Sequence, residues 1–494
     1  MSIIFNRRQF LKKCGLGMAV LGSAHQSRVW AQNTSRPNIV WIIVEDMSCH
    51  FGCYGETSIR TPNVDRLAAE GVKFDKAFVT APVCSPCRSA LITGMYQTSI
   101  GAHQHRSGRG TEKIHLPSKI RLVPAMFREA GYYTCNGFIE NRRKRPGKTD
   151  YNFEYDKAVY DGTDWADRKP GQPFFAQVQL AGGKGRTKKT PKPIDPADVK
   201  LPPYYPDDPV IRDDWAQYLN AAMNTDIQVG QIVQRLRNEG IYNNTFIFFM
   251  TDHGISHARG KQFLYDEGTR VPLIVRGPGL KAGTVREDLV IHIDMAATSL
   301  ALAGITVPEW MEGKDILAED YQRRDHIVSA RDRCDETVDR IRCVRTDRYK
   351  YICNFYPNRP YLQPCAYKDK KEILKALRRL HKEGKLNRDQ KLIMAERRPK
   401  EELYDLQKDP WELHNLAGDD SHRRILSNMR KMLDQWIRET NDRGQHRESE
   451  AMYDSDMKVY VDGMKKRSGD EWARHAELIE RNIALMKKWQ AEGK

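Results

Sequence analysis

The stretch from Asn38 to Val44 is a nearly unbroken apolar run, short and rich in β-branched residues. A strand that is apolar at every position is buried on both faces, as in the centre of a parallel sheet layered by helices. Glu45 and Asp46 follow it at once. A second run of the same kind, Thr245 to Met250, stops at Thr251-Asp252-His253-Gly254. In open parallel sheets, polar groups just past the carboxyl ends of strands converge on one crevice. Two metal-capable pairs far apart in the chain, Glu45/Asp46 and Asp252/His253, are therefore expected on one edge of one sheet.

The rest of the first two-thirds alternates in the same way. Val64 to Ala69 reads as helix ahead of Gly71, and Pro173 to Leu180 as another buried strand. Trp215 to Asn238 is a long amphipathic helix, Val271 to Arg276 a strand, and Asp294 to Leu302 a helix closed by Gly304. The spacing predicts a doubly wound α/β fold, with a mostly parallel sheet and helices on both faces. After about residue 340 the texture changes. Ile341 to Asn354 alternates charged and apolar residues, as an antiparallel strand with one wet face would. Lys368 to Lys385 reads as a basic amphipathic helix, and the stretch from Arg443 is charged and helical with no legible chemistry. The expected organisation is a leader at 1–31, a catalytic domain at 32–340 and a smaller α+β domain with antiparallel sheet at 341–494.

Between the two metal-capable pairs lies Cys84-Ser85-Pro86-Cys87-Arg88, running on to Thr93-Gly94. Pro86 suits a first helical position and Gly94 the residue past the end. That places Cys84 and Ser85 at a helix N-terminus, where free N–H groups and the helix dipole favour an anion. Arg88, one turn in, can reach the same point with a fixed fork of donors. A plainer reading of Cys84 and Cys87 is a redox pair or half of a zinc site.

The Cys-x-Pro-x-Arg pattern with Thr-Gly after it resembles the signature of type I sulfatases, which have an alkaline-phosphatase-like fold. The resemblance spans roughly residues 36 to 420. It implies that Cys84 is oxidised to Cα-formylglycine, whose hydrate attacks sulfur. It also implies one divalent ion, usually calcium, held by Glu45, Asp46, Asp252, His253 and the modified Cys84. Glu45 stands where aspartate is commoner. His253 brings nitrogen to an ion that prefers oxygen. Lys261, in a block ending Gly268-Thr269-Arg270-Val271-Pro272, matches the family's sulfate-binding lysine, and Lys148 matches another cation of the site. Arg88 completes the catalytic set. Asp150 replaces a histidine common in the family. After Leu180, Ala181-Gly182-Gly183-Lys184 replaces a histidine-bearing turn, so Lys184 is assigned to substrate binding and His257 becomes the nearest proton donor. The Glu-Asp-Met-Ser stretch and the Arg340 to Tyr351 block look closest to the heparan N-sulfatase branch.

The resemblance thus implies a sulfatase acting on a sulfated polysaccharide or its oligosaccharides. Alternatives are an N-sulfoglucosamine sulfohydrolase, a phosphoester or phosphonate hydrolase on the same fold, and a polyanion-binding module whose cysteine stays unmodified. A thiol oxidoreductase would depend on Cys87. Asn6-Arg7-Arg8-Gln9-Phe10-Leu11-Lys12 resembles a twin-arginine export signal, with cleavage near Ala31. Expected partners are the export machinery, a formylglycine-generating or radical maturation enzyme, and the sulfated carbohydrate, in the periplasm or outside the cell. The net charge of +16 gathers in Glu140 to Lys148 and Lys184 to Lys192, suited to steering a polyanion. No nucleic-acid motif accompanies it, and no apolar run reaches the ~18 residues of a membrane span. The ten cysteines suggest no obligatory disulfide framework.

Overall fold

The structure, a computed structural model, describes residues 36–139, 145–186 and 188–494. The leader and its twin-arginine stretch, with Arg142, Arg143 and Lys144 of the first basic cluster, lie outside the described residues. The described strands are β1 (Asn38–Val44), β2 (Val72–Phe74), β3 (Ala77–Phe78), β4 (Tyr133–Phe138), β5 (Phe174–Leu180), β6 (Thr245–Thr251) and β7 (Leu273–Arg276). They continue with β8 (Thr284–Arg286), β9 (Val290–Ile291), β10 (His326–Arg331), β11 (Ile341–Thr346), β12 (Tyr349–Asn354) and β13 (Glu401–Asp405). One sheet has the order β4-β5-β1-β6-β7-β2-β8. Its first four strands are parallel, and β7 runs antiparallel to both β6 and β2. The expected doubly wound, mostly parallel sheet is therefore present.

Alternation along β1 builds both layers. Val40, Ile42 and Val44 enter one core with the Pro209–Asn238 helix, which contributes Ile211, Trp215 and Leu219. Ile39, Trp41 and Ile43 enter the opposite core with Phe127, Leu91 and Leu300, from three helices on that face. Strand β5 obeys the same period, but Gln177 and Gln179 occupy its second face. That polar interruption lies toward the carboxyl end of the strand. Because β1 and β6 are in register from Asn38 opposite Thr245 to Val44 opposite Thr251, both metal-capable pairs emerge side by side.

The antiparallel sheet β10-β11-β12-β13 begins ahead of residue 340. Ile341 to Asn354 is a hairpin of two strands, and it has no wet face. Val344 and Tyr351 pack under the Arg423–Glu439 helix, while Ile341, Cys343 and Ile352 pack into the main core. The alternating charges are buried in ion pairs: Arg342 with Asp442 (2.7 Å) and Asp332 (3.1 Å), and Lys350 with Asp266 (2.5 Å) and Glu412 (2.6 Å). Lys368 to Lys385 divides into helices Ala366–Asp369 and Glu372–Lys382, and Lys368 is buried rather than on a solvated face. Two further helices, Glu450–Lys465 and Asp470–Ala491, form a C-terminal hairpin joined through Val461, Ala476 and Ile479 to Ala366. No helix among the described residues is long and apolar enough to cross a membrane. The described cysteines carry free thiols.

Candidate active site

The helix Cys84–Thr93 starts two residues earlier than the Pro86 rule implies, with Val83 extended at its cap and Pro86 third. A third-position proline forfeits nothing, because the first four N–H groups of a helix have no partner within it. Gly94 closes the helix in the left-handed region (φ 68°). Cys84 is 3% exposed, and its Sγ marks where the carbonyl or diol oxygen of a formylglycine would stand.

Four donor atoms converge there. Sγ of Cys84, Nε2 of His253, and carboxylate oxygens of Asp46 and Asp252 all lie within 4.8 Å of one another. His253 Nε2 is 3.1 Å from Cys84 Sγ, 3.3 Å from Asp46 and 3.6 Å from Asp252. Its Nδ1 is 2.9 Å from the carbonyl of Gly254, which it satisfies as an N–H donor. That bond points Nε2 at the carboxylates, the orientation a metal ligand needs. Asp46 is fully buried at φ 52°, an uncommon conformation for a non-glycine residue, and its N–H donates to Asp252 Oδ1 (3.1 Å). The donor set fits a divalent cation. Glu45 is placed differently: its carboxylate meets Lys148 (2.8 Å) and Lys184, outside the four converging atoms.

Positive charge surrounds the same point. Lys261 Nζ is 3.1 Å from Cys84 Sγ and 3.3 Å from Asp46, and Lys184 Nζ is 3.8 Å from each. Arg88 donates to Asp252 (3.1 Å), Gln179 (2.8 Å) and the Lys148 carbonyl (3.3 Å), so it aligns the acidic group as well as adding charge. Burial alone would raise the Cys84 thiol, but Lys148, Lys184, Lys261 and His253 hold it well below the ordinary thiol range. Asp46, which burial would likewise raise, is held well below the usual carboxylate range by Lys184, Lys261 and His253. Burial would lower both Lys184 and Lys261, yet Asp46 and Cys84 keep them charged. Gly182 and Gly183 explain the turn before Lys184. A Cβ on Gly183 would stand 2.1 Å from the Asp46 carbonyl, and Gly182 has φ 49°. Side chains are excluded where this turn closes against Glu45 and Asp46.

His257 is brought elsewhere. Its Nε2 meets Asp214 (2.5 Å) and Arg186 (2.6 Å), and its ring is enclosed by Tyr205, Trp215 and Tyr218. Burial and then the Arg186 charge push it down to about 3. His105 instead stands beside Cys84: a ring nitrogen of His105, Cys84 Sγ and an Asp150 oxygen lie within 4.8 Å of one another. His105 Nδ1 is 3.2 Å from Asp335, and its buried Nε2 has no hydrogen-bond partner among the described residues. Burial opposes its charge, but Asp335 carries it up to about 10. Tyr367 also enters, its hydroxyl donating to Asp46 Oδ2 (3.1 Å). Sequence reasoning passed over both residues. The signal for the first was present, since His103, His105 and Arg106 cluster shortly after Gly94. For Tyr367 there was none.

These features define an anion-binding site at the edge of a doubly wound α/β sheet, with a thiol at a helix N-terminus between a donor set that fits a cation and several lysines. The sulfatase family profile matches residues 37–305, and the profile of the N-sulphoglucosamine sulphohydrolase C-terminal region matches 253–377. The chain is 34% identical over 469 residues to an ulvan-active sulfatase of Formosa agariphila, covering 84% of this chain and 77% of that one. It is 26% identical over 465 residues to human N-sulphoglucosamine sulphohydrolase, covering 83% and 91%. The phosphonate monoester hydrolase of Agrobacterium radiobacter shares the fold, with a TM-score of 0.60 at 17% identity over 82% of this chain and 96% of that one. The chain belongs to the sulfatase family and is a sulfuric ester hydrolase. Fold likeness alone does not separate sulfate from phosphonate chemistry; the relatives that match along most of both chains are sulfatases.

Proposed function

We propose that the chain removes O-sulfate groups from a sulfated polysaccharide, or from oligosaccharides cut from it. The observation that carries this reading is the convergence of Lys184 and Lys261 on Cys84 beside Asp46, Asp252 and His253. The two lysines would hold sulfuryl oxygens, and Arg88 donates to Asp252. Formylglycine at position 84 would supply the oxygen nucleophile, and a divalent ion, calcium by family habit, would polarise the sulfate. Asp46, Asp252 and His253 would hold that ion. His105, positively charged and tied to Asp335, is placed to donate a proton to the leaving alkoxide. The likeness to an ulvan-active sulfatase along most of both chains supports a polysaccharide substrate.

A second reading is N-sulfate hydrolysis, favoured by the match of residues 253–377 to the sulphohydrolase C-terminal region. A desulfation screen of protein matured with a formylglycine-forming enzyme separates the two. Sulfate release from ulvan oligosaccharides, and none from N-sulfoglucosamine, is expected; the reverse pattern would replace the first reading with the second. The twin-arginine stretch supports export to the periplasm or beyond, and the cations Lys184, Lys188 and Lys192 support steering of a polyanion.

A further inference from the structure

The C-terminal hairpin lies beyond both family profiles, yet it reaches the active site through one loop. Residues 104–111 run between the Cys84 helix and the Glu450–Lys465 helix. On the inner side, the Arg106 N–H donates to Ser85 Oγ (2.9 Å), beside the nucleophile. The same loop carries His105, next to Cys84, and Arg109, paired with Asp150. On the outer side stands Asp456, 2% exposed. Its carboxylate accepts the N–H groups of Gly108 (3.1 Å), Arg109 (2.8 Å) and Gly110 (2.8 Å). It also accepts from Arg333 (3.1 Å), whose guanidinium donates to the His105 carbonyl (3.0 Å) and to Glu448 (2.7 and 2.8 Å). Ser455 adds a bond from the Thr111 N–H (2.9 Å), and Tyr460 lies 5.4 Å beneath Arg106.

Three consecutive amides aimed at one buried carboxylate form an anion nest whose anion is supplied by a helix more than three hundred residues later. The loop has left-handed residues at Arg106 (φ 58°) and Gly108 (φ 72°), so its path is not one the backbone adopts unaided. We infer that the C-terminal hairpin is a positioning element of the active site, and that Asp456 holds the 104–111 loop so that His105, Arg106 and Arg109 face the Cys84 pocket. Without that carboxylate the three amides lose their common acceptor, and the loop relaxes away from Ser85. The inference rests on the site assigned above, but its first readout does not depend on activity.

Asp456→Asn tests it by hydrogen exchange and kinetics together. Amide exchange in the 104–112 peptide is expected to accelerate at least tenfold, while peptides covering β1 and β6 stay protected. On matured enzyme with an aryl sulfate, kcat is expected to fall about 10- to 100-fold, the range for misplacing a catalytic group by about 1 Å. Asp456→Glu, which keeps a carboxylate, should recover part of both. Unchanged loop exchange would overturn the role of Asp456. Accelerated exchange with kcat and KM within twofold of the parent would overturn the catalytic importance of the loop. Should Asp456→Asn not accumulate folded, Glu448→Gln, at the outer end of the same network, is expected to give both effects at reduced size, and no change in either would refute the inference.

Discussion

Lys261 and Lys184 flank the same thiol, and their geometries predict unequal roles. Lys261 Nζ is 3.1 Å from Cys84 Sγ with a side chain 4% exposed, whereas Lys184 Nζ is 3.8 Å away on a side chain 35% exposed. Unit charges about 4 Å apart interact by about 4 kcal/mol at an effective dielectric near 20. Only the portion that grows as charge develops on the transferring group accelerates the reaction. Taking roughly half gives ~2–3 kcal/mol for Lys261, a loss of about 100-fold in kcat/KM. Solvent screening reduces Lys184 to about 1 kcal/mol, or roughly 5- to 10-fold. Lys261→Ala and Lys184→Ala, matured alike and assayed on one aryl sulfate, should fall in that order, with Lys261→Arg between Lys261→Ala and the parent. Removing a cation 3.3 Å from Asp46 should also tighten, not weaken, divalent-ion binding measured by calorimetry. A larger loss for Lys184→Ala, or weaker ion binding in Lys261→Ala, would refute this account of the site.

His105→Gln should lose far more turnover on a sulfated sugar than on an activated aryl sulfate, because only a poor leaving group needs the proton. His257 gives a pH prediction without catalysis. Its folded value of about 3 lies below the ordinary 6.5, so between those pH values the unfolded chain binds a proton that the folded chain refuses. Stability therefore falls as the pH drops through that window and is unaffected above it. His257→Gln should flatten this acid dependence in thermal melts, and an unaltered slope would assign the acid sensitivity to other groups. Lys350→Met should destabilise the protein by about 3–5 kcal/mol, the cost of leaving buried carboxylates without their cation. Denaturant unfolding would measure it, and a loss under about 1 kcal/mol would show the ion cluster dispensable.

The strand ends and the Cys84 helix were legible in the chain because their signals are local. Full burial of β1 and β6 follows from uninterrupted apolar runs, and parallel pairing then carries Asp46 and Asp252 to the same edge. The Cys84 helix is bracketed by its own extended cap and glycine. Charged residues in β11 and β12 misled for the complementary reason. A lysine or arginine is read as solvated unless its partner is known, and the partners of Arg342 and Lys350 lie on other elements.

Sequence by itself therefore determined the sheet, its polar edge, the Cys84 helix and the cations next to conspicuous motifs. Tertiary structure decided which polar groups share a pocket: Glu45 turned to the lysines, His257 enclosed by aromatics, His105 and Tyr367 brought in, and Asp456 set against a distant loop. Backbone periodicity is a property of neighbours along the chain. A buried polar side chain is positioned by hydrogen-bond partners hundreds of residues away, and only the packed fold chooses them.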